Sequence, residues 1–498
     1  MSYEELPNEF DIVLLGTGLV TTITAAAFSR IGLKVLHLDR NDFYGGPFAN
    51  FNLEAIETWK KRNQVMYCCG DIIELLIKSD VARYCEFRTV SRVLTLLKDK
   101  LEPVPCSRAD VFASKIVSLI EKRLMMKFLQ FAADFENHPE EYEDHKNGTF
   151  KDFLKSKKLT PNLQHFVQHA IAMVDDSCST EDGLTKTKKF LTSLGRYGNT
   201  AFLFPLYGSG ELSQAFSRMS AVFGGVYCLM ETATHILADN EANCCGIITS
   251  KGQKISCKYL IAESSYLPSN YVQRLSQGKI SRAIFITDTS IEPSSDEDLT
   301  LLNFICKEDQ SRPVTVLEIP SSACVCPRNL YVVYLTRKSD SDDPKEDLRE
   351  VQDRLLASID GASSDEESRP HILWSMYFTM EDWSEVSMTE EALGRVMVSS
   401  EGGDAGIDLD KCVPEAKQLF HSVCPDEEFL PTPPNPEDII HVDDTESAVV
   451  SGAAGDFEQG NEDPEDSQQT GPDSSEVVNE ESKCEEKDSE ASNDKVEQ

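Results

Sequence analysis

The pattern closest to reaction machinery in this 498-residue chain is Gly16-Thr17-Gly18-Leu19-Val20-Thr21, followed by Asp39. In a dinucleotide-binding turn the first glycine makes the tight bend and the second lets a pyrophosphate approach the helix N-terminus. The third lets helix and strand pack closely, and the acid at the end of the next strand takes a ribose hydroxyl. Here the third position is Thr21, whose branched side chain is expected to hold the helix off the strand and crowd the phosphate path. Two readings stay open on this motif: a working nucleotide site, or an inherited scaffold whose site is dead. In the second, Gly16 and Gly18 form only a tight turn and Asp39 is a surface carboxylate. Of the nine histidines, only His165 and His169 stand one helical turn apart. A metal would need a third ligand that the sequence does not place beside them, so a plain helix face is the expectation. No Gly-x-Ser-x-Gly elbow, Walker loop or His-Glu-x-x-His is present. The 15 cysteines include the adjacent pairs Cys68–Cys69 and Cys244–Cys245 but no Cys-x-x-Cys, and they read as small core residues of a reducing compartment. The chain offers an enzyme's scaffold without an enzyme's chemistry, and neither a metal nor a cofactor is expected.

The elements that would carry these residues follow from periodicity. Phe10–Leu15 is a short apolar run, Thr21–Arg30 is rich in alanine, and Lys34–Asp39 is a second apolar run. With Gly32 at the C-terminal cap of the helix, this is a βαβ unit. Helices are expected over 71–79, 108–135, 151–157, 160–174 and 181–194. The 108–135 helix would open at Ser107, with Asp110 three residues on as an imperfect capping box. The stretch from about 108 to 195 therefore reads as a helical insert. A further helix should end near Phe223, and runs such as Tyr259–Ala262, Ala283–Thr287, Val314–Glu318 and Tyr331–Leu335 return to period two and would complete the sheet. Residues 337–369 look like a loop or weak helix.

Charge narrows the partners. The net charge is −37, which opposes binding to phosphate backbones and anionic lipid, so nucleic acid is excluded. Residues 441–498 alone hold 19 acidic and 3 basic side chains, with Phe457 the only aromatic. Beyond the proline stop Pro431–Pro436, that composition implies a disordered tail. No apolar run approaches the roughly 20 residues that span a bilayer, and the N-terminus is acidic, so the expected location is the cytosol.

Two blocks carry a family resemblance: FDIVLLGTGLVTTITAAAFSRIGLKVLHLDRNDFYGG and LGRYGNTAFLFPLYGSGELSQAFSRMSAVFGGVYCL. They are similar to the family of Rab GDP-dissociation inhibitors and Rab escort proteins, over about residues 8–440. VPCSRADVFASKIVSLIEKRLMMKFLQF resembles the family's helical lipid-binding domain. The PCSRADVF segment, the LGRYGNT form, the PTPPNPEDII end and the acidic tail resemble the escort branch.

The resemblance implies an α/β fold with a flavoprotein-like domain I that uses no flavin, an inserted all-helical domain II and an acidic tail. The boundaries would be 1–107 and 196–436 for domain I, 108–195 for domain II and 437–498 for the tail. It implies a non-catalytic protein that binds GDP-bound Rab GTPases, presents them to the geranylgeranyltransferase heterodimer, and shields the geranylgeranyl group until transient membrane delivery. An inhibitor that extracts Rabs without serving the transferase is the alternative inside the family. A flavin-dependent oxidoreductase is the alternative outside it. Carried over by motif, Tyr44, Glu211 and Arg218 would form the Rab platform. In a helix rich in methionine and phenylalanine, Met125, Met126, Phe128, Leu129 and Phe131 are candidates for the lining of the prenyl slot, with ordinary helix core as the other reading of each. Burying a C20 isoprenoid releases on the order of 10 kcal/mol before ordering costs. Phe190 is a candidate anchor for the transferase, with a place in the helix core as the other reading. The family usually carries an Asn-x-Asp-Leu-containing segment before the helix at Asp71. Here Lys60–Gln64 runs directly into Val65–Gly70, so part of the Rab-facing surface is expected to be reduced.

Overall fold

Strand β1 (Ile12–Leu15) is buried on both faces, as the continuous apolar run IVLL requires of a central parallel strand. Ile12 and Leu14 face one core while Val13 and Leu15 face another. Helix α1 (Leu19–Arg30) follows, and the chain turns out of it through Gly32 at φ +84°, a left-handed conformation that favours glycine. It returns as β2 (Val35–Asp39). The computed structural model describes residues 6–50, 63–105, 118–276, 278–294, 296–306, 313–357, 369–402 and 404–433. The acidic tail lies outside them, as do residues 106–117.

β1 and β2 belong to a five-stranded parallel sheet in the order Val396–Ser399, Tyr259–Glu263, β1, β2, Val226–Leu229. One face is covered by α1 and the helices Gly210–Val222 and Cys412–Val423. Phe28 of α1 lies 5.2 Å from Phe420 there. The other face is covered by a three-stranded sheet from residues 233–256. Of the four runs expected to complete this sheet only Tyr259–Ala262 joins it; Ala283–Thr287, Val314–Glu318 and Tyr331–Leu335 pair antiparallel with one another in a different sheet, as their period-two alternation suits.

A second, seven-stranded sheet goes beyond that expectation. Its order is Ile372–Glu381, Lys279–Thr287, Tyr331–Lys338, Val314–Pro320, Thr300–Phe304, Arg92–Leu97, Lys100–Pro103, antiparallel except between Thr300–Phe304 and Arg92–Leu97. Period-two alternation sorts its side chains: Leu317, Ile319, Val332 and Tyr334 meet the helical layer, whereas Val314, Val316, Val333 and Leu335 face the opposite side. That side is closed by a helix, Pro344–Leu355, inside the span read as loop or weak helix. Asp343 caps it, accepting from the Lys345 N–H at 2.9 Å, and Leu348, Val351 and Leu355 are buried. Three apolar residues among charged neighbours are a thin periodic signal, which is why the sequence underrates this helix.

The helical layer consists of Leu119–Ala133, Phe150–Ser156, Pro161–His165 continuing as a π-helix to Ile171, and Thr180–Ser193. The expected opening at Ser107 lies outside the described residues, but a helix running unbroken over 108–135 is corrected at Ser118, whose backbone is extended (φ −66°, ψ 162°). The described helix begins at Ser118, which accepts from the Glu121 N–H while Glu121 accepts from the Ser118 N–H, a complete capping box. Met125, Phe128 and Ala132 at i, i+3 and i+7 form its buried face. His165 bonds Thr95 at 2.9 Å and His169 bonds the Val174 carbonyl at 3.2 Å. Among the described residues no group of three ligands surrounds them.

Candidate functional site

Tyr44 is far in sequence from Glu211 and Arg218, which share one helix, and backbone contact brings the two segments together. The turn Tyr44-Gly45-Gly46 crosses the first residue of the helix Gly210–Val222. Gly45 stands at φ +98°, and a Cβ there would lie 3.4 Å from Gly210 Cα. A Cβ on Gly210 would lie 2.7 Å from the Phe48 carbonyl and 3.1 Å from the Asn50 nitrogen, so only glycine permits this approach. Asn50, carried by the same turn, donates from Nδ2 to Glu211 Oε1 at 2.7 Å. Burial pushes the half-buried Glu211 acid upward, and the Asn50 bond opposes that shift. Glu211, Gln214 and Arg218 lie at i, i+3 and i+7 on the outward face of the helix. Arg218 is exposed, with its guanidinium 4.9 Å from the centre of the Tyr84 ring. Tyr44 keeps part of its ring in solvent and rests the remainder against Tyr227, 6.0 Å away, which in turn lies 4.8 Å from the buried His37. The result is a surface with an amphipathic ring, an acid and an exposed arginine, the residue types that anchor protein partners.

Asn50, Tyr84 and Tyr227 escape a reading by motif. Each acts on a residue far along the chain, and no local spacing announces that.

The glycine loop beneath this surface is filled by the protein itself. Register places the end of the Tyr259–Glu263 strand beside the end of β1. Glu263 reaches into the Gly16–Gly18 bend, and its Oε1 accepts from the Gly18 N–H at 2.5 Å and from Thr21 Oγ1 at 3.2 Å. A Cβ on either glycine would collide with the Glu263 carboxyl group. Its carboxyl therefore stands at the helix N-terminus where a pyrophosphate would sit in a nucleotide-binding turn. Asp39 is likewise engaged: it accepts from Thr17 N–H at 2.8 Å, Thr17 Oγ1 at 2.7 Å, Asn41 N–H at 2.8 Å and Tyr266 Oη at 2.6 Å. Arg40 bonds Ser265 and stacks 4.2 Å over Tyr266, clamping residues 264–266 to the end of β2. These residues do not fit a dinucleotide.

This revises two expectations. Asp39 is 1 % exposed and is not a surface carboxylate. Thr21 is not itself the obstruction, since its hydroxyl folds back onto the Gly18 carbonyl at 3.0 Å; Glu263 fills the phosphate path.

Burial, followed by the charges of Asp39 and Glu401, pushes the Glu263 acid up to about 8. Between the ordinary carboxyl value and about 8 the folded chain holds a proton that the unfolded chain has released. Stability from this group is therefore full below the unfolded value and is lost as pH rises through the folded one, at no more than about 1.4 kcal/mol per pH unit. Glu263→Gln should flatten the stability profile between about pH 5 and 8, measured by urea unfolding at each pH. Glu318, which burial pushes up to about 7, contributes equally to both proteins and cancels in the comparison. Equal slopes for the two proteins would show that Glu263 is ionised.

The remaining positions predicted from sequence lie in the helical layer. Met125 and Phe128 are buried in its core, while Met126, Leu129 and Phe131 are partly exposed beside them. Phe131 sits 6.2 Å from Phe128 and 6.1 Å from Phe153, with Lys157 Nζ 4.8 Å above its ring. Of the two readings of Phe190, burial selects the core over the surface anchor. It is fully buried, edge-on to Phe202 at 5.9 Å.

The model of the family described as GDP dissociation inhibitor matches residues 6–65 and 62–365. The two matched pieces overlap at residues 62–65, just before the helix Asp71–Lys78. The chain is 46% identical over 396 residues to Rab proteins geranylgeranyltransferase component A 2 from Mus musculus, covering 78% of this chain and 63% of that protein. It thus spans about three fifths of that relative's length. Among solved structures, the RAB GDI of Plasmodium falciparum superposes with a TM-score of 0.69 at 20% identity, over 85% of this chain and all of that one. An oxidoreductase from Methanosarcina mazei superposes with a TM-score of 0.57 at 13% identity, over 82% of this chain and all of that one. These two share the fold.

Proposed function

Since the chain belongs to the GDP dissociation inhibitor family, we propose that it is an escort protein: a non-catalytic component that binds GDP-bound Rab GTPases, presents them to the Rab geranylgeranyltransferase and shields the prenylated tail until delivery to a membrane. The observation that carries this reading is the assembly of Tyr44, Glu211 and Arg218 into one outward surface by the Gly45–Gly210 backbone contact. The likeness to a relative named as the transferase's component A favours the escort branch over the inhibitor branch. The oxidoreductase alternative loses its basis, because Glu263 and Tyr266 stand where its cofactor would bind.

The prenyl group would enter the helical layer beside Met126, Leu129 and Phe131, with Met125 and Phe128 moving apart to complete the slot. Phenylalanine and methionine suit such an opening, being large, apolar and, for methionine, adaptable in shape. Among the described residues no helix is long and apolar enough to cross a membrane.

The test compares GDP-loaded Rab before and after prenylation. Wild-type protein should bind both. Leu129→Glu should weaken the prenylated complex by about tenfold or more, because a charge in the slot opposes lipid burial, and leave the unprenylated complex within about twofold. Equal affinities for the prenylated Rab in both proteins would move the slot elsewhere. Failure of wild-type protein to bind GDP-loaded Rab would end the escort reading.

A further inference from the structure

The filled glycine loop also contacts the proposed Rab-binding turn. The Gly45 N–H donates to the Thr17 carbonyl at 3.0 Å and to Thr17 Oγ1 at 3.2 Å. Thr17 is itself held by Asp39 through its N–H and its hydroxyl, and Asp39 is held by Tyr266. Gly46 passes within reach of Gly18 and Glu263: a Cβ on it would lie 3.8 Å from Gly18 Cα and 3.9 Å from Glu263 Oε2. Glu263 and Tyr266 belong to one short stretch of chain, and both ends of that stretch grip the loop on which the Tyr44 turn rests.

We infer that the glycine loop has become a buttress for the Tyr44–Phe48 turn, with Glu263 taking the place of a bound phosphate, and that Glu263 and Thr17 are positioning residues for the Rab-binding surface. In a dinucleotide protein a ligand satisfies the N–H groups at the helix start. Here that task falls to a side chain that cannot dissociate, so the loop stays closed and the turn above it stays in one conformation. A turn fixed before binding spares the ordering cost that a mobile one incurs on association. Glu263 is 4 % exposed and reaches no partner, so its influence on binding has to pass through Thr17, Gly18 and the Tyr44 turn. The same contacts explain why the GTGxxT pattern persists in a chain whose residues do not fit a dinucleotide.

The inference rests on the reading of Tyr44 as a Rab contact, and the experiment separates the two. Backbone hydrogen exchange of residues 42–50 is measured in the free protein, and affinity for GDP-loaded Rab is measured alongside, with Tyr44→Ala as the reference. In Glu263→Ala the hydrogen-bonded Gly45 and Phe48 amides should exchange about tenfold faster and Rab affinity should fall about tenfold. Glu263→Gln, which keeps an oxygen for the Gly18 N–H, should restore both to within about threefold of wild type. If thermal melting shows that Glu263→Ala does not fold, Thr17→Val against Thr17→Ser carries the same comparison, since only serine retains the hydroxyl that joins Asp39 to Gly45. Unchanged exchange over 42–50 in a folded Glu263→Ala or Thr17→Val protein overturns the buttress. So does a Glu263→Gln protein as loose as Glu263→Ala. Faster exchange, with Rab affinity unmoved in both Glu263→Ala and Tyr44→Ala, upholds the buttress and overturns the Rab assignment.

Discussion

Arg218→Ala should weaken binding of unprenylated, GDP-loaded Rab by roughly 1–3 kcal/mol, a factor of about 5 to 150 in affinity. The side chain is exposed, and its one described neighbour is the Tyr84 ring, so its removal leaves no buried group unpaired. Stability should stay within about 0.5 kcal/mol of wild type. Loss of binding in a protein that melts normally therefore reports on the surface and not on the fold. Glu211→Gln is the gentler companion: the amide can keep the Asn50 bond while shedding the charge. Titration of GDP-loaded Rab by calorimetry measures both. An Arg218→Ala protein with unaltered affinity would remove this helix face from the interface.

Phe190→Ala should have a larger effect on stability, at a cost of about 3–5 kcal/mol, because the ring is wholly enclosed between the helical layer and the Phe202 strand. Its position decides how a loss of prenylation in that variant is to be read. A surface anchor removed would abolish transferase binding and leave the melting temperature alone. A core residue removed would lower the melting temperature and disturb every surface of the layer together. The burial predicts the second outcome, with Phe190→Leu recovering most of the stability, since it leaves less of the ring's volume empty. Thermal melting of both variants beside transferase binding checks it. A Phe190→Ala protein that melts like wild type and has lost only the transferase would place the ring on a surface after all. With Phe190 inside, the proposed contact with the transferase would fall to other side chains of the layer.

What the sequence reveals and conceals follows from the range of each interaction. β1, α1 and β2 are legible because an apolar run, a glycine turn and an alanine-rich stretch are local signals, and the helices of the layer announce themselves by apolar spacing. The hairpin Arg92–Leu97/Lys100–Pro103 escapes notice. Its two-residue turn is Lys98-Asp99, both at positive φ, where asparagine or glycine would have been the usual sign. Exposure is harder still: Phe190 and Phe131 are both helical phenylalanines, yet one is enclosed and the other partly open. The filled loop is the extreme case. Glu263 and Thr21 are 242 positions apart, and no window along the chain joins them. The family motifs place Tyr44, Glu211 and Arg218 by resemblance, but the glycine contact that assembles them, Asn50 behind Glu211 and Tyr227 behind Tyr44 emerge only in three dimensions.

The most direct measurement is geranylgeranyl transfer to a GDP-loaded Rab by the purified transferase heterodimer, with and without this protein. An escort protein supplies no catalytic group and acts by holding the Rab where its C-terminal cysteines reach the enzyme, a gain of proximity and orientation. The account predicts negligible transfer without the chain, and transfer that rises with its concentration until it matches the Rab, then falls sharply with Arg218→Ala. Binding to Rab with no stimulation of transfer would contradict the escort assignment and leave the inhibitor one.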